Sequence, residues 1–82
     1  MRGKRVHFSL PPVLRIKDYS MGYRVTIPYA PSLCLRTLRR FRDITPGACR
    51  VLTNEHLPIC LKTPLAHQDI HEGDAIHIVP LA

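Results

Sequence analysis

Apolar and polar residues alternate along much of the chain, and the places where the alternation stops divide it into elements. Tyr23, Val25, Ile27 and Tyr29 lie two apart with Arg24 and Thr26 between them. In an extended segment that spacing puts the four apolar and aromatic side chains on one face. Val13 to Lys17 reads as a preceding strand, and Asp18-Tyr19-Ser20-Met21-Gly22 as the hairpin connection, with a glycine near its end. Pro28 has no donor for a ladder, so it belongs at an edge or where the strand leaves the sheet.

The period changes after Pro31-Ser32. A serine hydroxyl accepts from the first free backbone donors of a helix, and at about 100° per residue Cys34, Leu35, Leu38 and Phe41 gather on one side. Arg36, Arg39 and Arg40 fall on the other. A helix from Ser32 to Asp43 is therefore predicted, ended by Thr45-Pro46-Gly47, because the residue before a proline is pushed out of the α region.

Cys49 to Thr53 predicts a third strand, Asn54-Glu55-His56 a turn, and Leu57 to Leu61 a shorter fourth strand. Thr63-Pro64 breaks the chain. Leu65 and Ile70 then lead into the polar turn His71-Glu72-Gly73-Asp74, where Gly73 accepts a positive φ that side-chained residues resist. The closing segment Ala75 to Val79 is rich in β-branched residues and reads as the last strand. The order β-β-α-β-β-β implies an α+β fold, a mixed sheet of four or five strands with one helix across one face.

Eighty-two residues make one domain near the lower limit of a self-sufficient core. No apolar run approaches the roughly 20 residues that cross a bilayer, and MRGKRVHFSLPP lacks the apolar block of a secretory signal. Cys34, Cys49 and Cys60 form an odd set without C-x-x-C spacing, so neither a disulfide framework nor a zinc knuckle is indicated. An intracellular, cytoplasmic location is expected. Residues 1–12, ending in Pro11-Pro12, read as a basic N-terminal arm before a domain at 13–82. Val6, Phe8 and Leu10 alternate within the arm and leave open whether it pairs with the sheet.

The net charge of +6 is unevenly placed. Ten Lys or Arg precede Asp43 against the single acid Asp18, whereas two bases face five acids from Asp43 onward. That asymmetry suggests an anionic partner for the first half, which an acidic protein surface, nucleic acid or a membrane would satisfy.

The order of elements resembles the ubiquitin-like, or β-grasp, superfamily over about residues 13 to 79. Gly22, Pro31-Ser32, Pro46 and Leu65 fall where ubiquitin has a hairpin glycine, a Pro-Ser before its helix, a proline after it and a leucine before the last turn. The resemblance implies a core of Val25, Ile27, Tyr29, Leu35, Leu38, Val51, Ile59, Leu65, Ile70, Ile76 and Ile78. It also implies a partner-binding patch on the open side of the sheet at Leu52, His77 and Val79. Strand alternation independently turns Leu52 and His77 outward if Val51, Ile76 and Ile78 face inward. Arg50 joins this patch, and Met21 or Tyr19 in the hairpin loop borders it. Gly47 to Val79 is also similar to TGS domains, in its Gly-Ala, its Leu57-Pro58-Ile59 and its Gly-Asp turn, and the GDAIHIVP tail to sulfur carriers of the same superfamily. A conjugated modifier or sulfur carrier needs a free Gly-Gly carboxylate, whereas this chain stops at Pro80-Leu81-Ala82. The expectation is instead a built-in module at the amino end of a longer protein.

Little in the sequence points to catalysis. Five histidines and three cysteines are present, yet no spacing matches a nucleophile with its base. His67 and His71 beside Asp69 would form a metal site only on a helix, and they lie in a segment expected to be irregular. No phosphate-binding glycine motif occurs. Neither catalytic residues, a metal, a cofactor nor a small-molecule substrate is expected. Three functions compete. The first is a protein-interaction domain using Leu52, His77, Val79, Arg50 and Met21, the basic helix face Arg36, Arg39 and Arg40, or both. The second is a TGS-like RNA-binding module whose affinity falls with salt. The third is a self-associating scaffold domain in which the basic and acidic halves meet.

Overall fold

The computed structural model describes residues 11–81, so the arm at residues 1–12 lies almost wholly outside the described residues. Four strands form one mixed sheet: β1 (Val13–Asp18), β2 (Tyr23–Pro28), β3 (Cys49–Leu52) and β4 (Ala75–Pro80), in the order β2-β1-β4-β3. β1 pairs antiparallel with β2 and parallel with β4, and β3 pairs antiparallel with β4. The closing strand is thus central, with both edges covered. Ile76 and Ile78 are accordingly fully buried, as is Leu14 on β1. Burying each such side chain contributes about 1.5–3 kcal/mol.

Two devices hold the centre of the sheet. The turn before β4 hangs on β1, with the Gly73 amide donating to the Val13 carbonyl at 2.8 Å and the Arg15 amide to the Asp74 carbonyl at 3.1 Å. Gly73 takes the positive φ of 83° that this turn requires. The β1–β2 connection closes on Asp18, whose carboxylate accepts from the Ser20 amide, the Ser20 hydroxyl and the Met21 amide. This is a side-chain mimic of a backbone turn.

The predicted helix from Ser32 to Asp43 is not continuous. Residues Leu35–Thr37 make a 3-10 turn, Leu38 is extended, and only Arg39–Arg42 (α1) is α-helical. The reason is tertiary. The carbonyls of Pro31 and Leu33 accept from the amides of Ala66 and Leu65, and the Arg36 amide donates to the Leu61 carbonyl. Backbone groups that would have opened the helix are committed to the 61–66 segment instead. Leu35 and Phe41 still reach the core, where they meet Ile59, Leu65 and Ile70 beneath the sheet. Cys34 is half-buried and stands outside that cluster.

The predicted strand at Leu57 to Leu61 shrinks to a single bridge between Leu52 and Pro58. Its flanking bonds run from the Thr53 amide to the Leu57 carbonyl and from the Ile59 amide to the Val51 carbonyl. Pro58 therefore sits at the one position where no donor is called for. The pairing stops at Cys60 because the Gln68 side chain takes that residue's backbone, accepting from its amide at 2.8 Å and donating to its carbonyl at 2.7 Å.

Val25 is the expected core residue that the structure leaves outside. It faces buried Ile16 across the ladder yet keeps 40% of its surface exposed, as does Tyr23. β2 is the edge strand, and the 31–36 segment lies against residues 61–66 rather than across it. Farther along, Ile27 near the end of β2 and Tyr29 just after it do pack on the core. The Tyr29 hydroxyl donates to the Ile70 carbonyl at 2.7 Å.

Candidate functional site on the open face of the sheet

With Leu14, Ile16, Ile76 and Ile78 buried, the intervening positions of β1 and β4 turn to the other face. Strand register then assembles one row across all four strands: Arg24 on β2 opposite Lys17 on β1, Lys17 beside His77 on β4, and His77 opposite Leu52 on β3. Arg50 opposite Val79 forms the adjacent row on β3 and β4. Leu52, His77 and Val79 are half-buried and Arg50 is exposed.

Aromatic rings border the row. The Tyr19 ring lies parallel to that of His77 with centroids 5.9 Å apart, and the His56 ring lies 6.3 Å from it on the β3 side. The Asn54 amide oxygen stands 3.2 Å from His77 Nε2. Tyr19, rather than Met21, is the hairpin residue stacked on the row; Met21 sits in the same loop with 67% of its surface exposed. Beyond Leu52 the surface dips into a recess of about 520 Å³ at the β3 edge, lined in part by Arg50, Leu52, His56 and Pro58.

The electrostatics of this face are one-sided. Arg15, Lys17, Arg24 and Arg50 all project from it, and the single acidic strand residue, Asp18, is on the buried face. Lys17 and Arg24 are directly opposed like charges, an arrangement that costs stability in the isolated sheet. Partial burial, with Lys17, His56 and Arg15 close by, holds the His77 pKa below its ordinary value. The surroundings therefore disfavour the imidazolium at this position. Arg15, Lys17 and Arg24 were not among the patch residues read from sequence, although the same alternation that turns His77 outward marks them too.

The basic helix face divides. Arg36 and Arg39 are exposed, and Arg39 lies 3.6 Å from Asp43. Arg40 is not a solvated cation of that face. Its guanidinium Nε donates to buried Asp18, and Nη2 donates to the Ser20 hydroxyl at 2.8 Å. His71 Nε2 and Asp69 Oδ1 form an exposed pair 2.8 Å apart. Among the described residues no group of three or more His, Cys, Asp or Glu is placed to hold a metal ion. Among them, too, no helix is long and apolar enough to cross a membrane.

The four-stranded mixed sheet with its central last strand and a broken helical segment, Leu35–Thr37 and Arg39–Arg42, packed on the core is a ubiquitin-like β-grasp fold. Its solved neighbours include the UBL domain of Plasmodium falciparum Dsk2, at TM-score 0.63 and 18% identity, over 88% of this chain and all of that one. A de novo designed protein based on ubiquitin matches at TM-score 0.62 and 17% identity, over 87% of this chain and 89% of its own. No protein-family model matches the chain, and no curated protein matches it in sequence. The resemblance to ubiquitin-like domains is thus remote in sequence and clear in fold.

Proposed function

We infer that residues 13–82 form an interaction domain, preceded by a basic arm, that binds an acidic segment of a protein partner across the open face of the sheet. The row Arg24, Lys17, His77, Leu52 carries this reading. It spans every strand and sets two cations, neither paired with a carboxylate among the described residues, beside a half-buried apolar end. Such a face gains when a partner supplies carboxylates for the cations and an apolar side chain for Leu52 and Val79. Arg50 extends the cationic rim, and Met21 lies within reach of a partner that continues past Tyr19. An intracellular, cytoplasmic setting belongs to the same proposal, supported by three cysteines that remain thiols.

The test is capture of partners by the wild-type chain and by a Leu52→Glu, Val79→Glu double variant that retains a folded spectrum. Loss of the captured proteins is the expected result, and unchanged capture by the folded variant rejects the reading. RNA would also neutralise Arg15, Lys17, Arg24 and Arg50, so a short oligoribonucleotide is titrated alongside at two salt concentrations. Salt-sensitive RNA binding that exceeds protein capture would move the assignment to the RNA-binding alternative.

A further inference from the structure

A second surface of the domain has its own chemistry, on the side of the sheet that carries α1. There a groove of about 530 Å³ runs between the end of α1 and the 60–62 segment. Ile44, Pro46 and Leu61 give it an apolar lining, and Arg36, Arg42 and Lys62 stand around it. The Arg36 amide donates to the Leu61 carbonyl at 2.9 Å, which ties the two walls together. Gln68, by clasping Cys60, fixes the far wall from behind. Among the described residues none of the three cations is paired with a carboxylate. Residues 1–10 contain no acidic side chain to supply one.

We propose that this groove is a docking site for an extended acidic peptide segment that carries a hydrophobic side chain between its carboxylates. The apolar lining takes the hydrophobic anchor, and Arg36, Arg42 and Lys62 each meet a flanking carboxylate. Nucleic acid fits less well, because Phe41 is 97% covered and offers no ring face for a base. A second copy of the chain also fits less well. Of the three acids in its 69–74 turn, Asp69 already faces His71 and the Asp74 carboxylate accepts from the His71 amide, which leaves exposed Glu72 as the one acid without such a contact among the described residues, too few for three cations. This site stands apart from the sheet face and does not depend on it.

The experiment titrates the ¹⁵N-labelled chain with an acetylated, amidated peptide, Glu-Glu-Leu-Glu-Phe-Glu-Glu. Controls are the same peptide with serine for leucine and phenylalanine, and a short oligouridylate. Saturable shifts at Arg36, Arg42, Ile44, Leu61 and Lys62 are expected with the first ligand alone. An Arg36→Glu, Lys62→Glu variant should bind roughly tenfold more weakly, since each exposed ion pair is worth a fraction of a kcal/mol and reversal adds repulsion. Four results would overturn the proposal: absence of saturation, equal binding of the serine peptide or the oligouridylate, shifts confined to Lys17, Leu52 and His77, or concentration-dependent dimerisation that shifts the groove residues without peptide. The wild-type titration with its controls decides the matter even if the double variant fails to fold.

Discussion

Arg40 and Asp18 are joined across the domain: the guanidinium of the one helical turn reaches the carboxylate that closes the β1–β2 hairpin. Asp18 is a buried charge, and its burial alone would raise its pKa. The hydrogen bonds from Arg40, Ser20 and the Met21 amide outweigh burial and bring the carboxyl below its ordinary value. One side chain thus sets the hairpin loop and the position of α1 together.

Removing the cation should therefore cost stability well beyond that of a surface arginine. Arg40→Ala leaves Asp18 buried without its charged donor, and a loss of about 1.5–3 kcal/mol is expected from chemical denaturation. Arg39→Ala, whose partner Asp43 is exposed, should cost well under about 1 kcal/mol.

The same linkage governs behaviour in acid. Because the folded Asp18 pKa lies below the unfolded one, its contribution is complete above the ordinary carboxylate range, about 3.9, and is lost as pH falls through the depressed value. In Arg40→Ala that loss should begin at higher pH. Following the Asp18 carboxyl carbon by NMR would show it.

His77 acts at milder pH and through a different balance. Partial burial comes first, and Lys17, His56 and Arg15 add to it, so the folded state disfavours the imidazolium. A base with a depressed folded pKa stabilises the fold above its ordinary value of about 6.5 and ceases to as pH falls below it. Thermal stability should drop between about pH 7 and pH 5. His77→Gln should flatten that drop; an unaltered slope would contradict the assignment.

Core truncations should separate the centre of the sheet from its edge. Ile76→Ala on the central strand is expected to cost about 2–5 kcal/mol. Val25→Ala on β2 should cost less than about 1 kcal/mol, because its side chain is already 40% exposed.

Gln68 and Cys60 offer a local test of what ends the fourth predicted strand. Gln68→Ala frees the Cys60 backbone and the Thr63 carbonyl. Amide exchange at Cys60 should accelerate while exchange in β4 stays slow. The Cys60 thiol is exposed, and the Thr63 hydroxyl, followed by the Lys62 amide, lowers its pKa. Its alkylation, read by mass spectrometry, should reach its plateau at lower pH than that of an ordinary thiol.

Strand alternation and turn chemistry made most of the sheet legible. Ile76, His77 and Ile78 alternate about a Gly73-Asp74 turn, and only one assignment of faces keeps the isoleucines dry. Leu52, Val79 and Arg50 follow from the same rule, and the register brings them beside His77. The helical segment was less legible, because 3.6-residue periodicity records which side chains face inward and is silent on where the backbone finds its partners. Leu35 and Phe41 do face inward, but the carbonyls of Pro31 and Leu33 bond to residues 65 and 66.

What the sequence by itself determined is the β-grasp order of elements and the outward set on β3 and β4, because short-range spacing dictates which side chains share a face. What only the tertiary structure decided are the long-range choices: Arg40 spent on Asp18, Gln68 substituting for a strand at Cys60, and Val25 left at an uncovered edge. Each depends on two segments far apart in the chain competing for the same hydrogen bonds or the same cover, and that competition is resolved only when the chain has closed on itself.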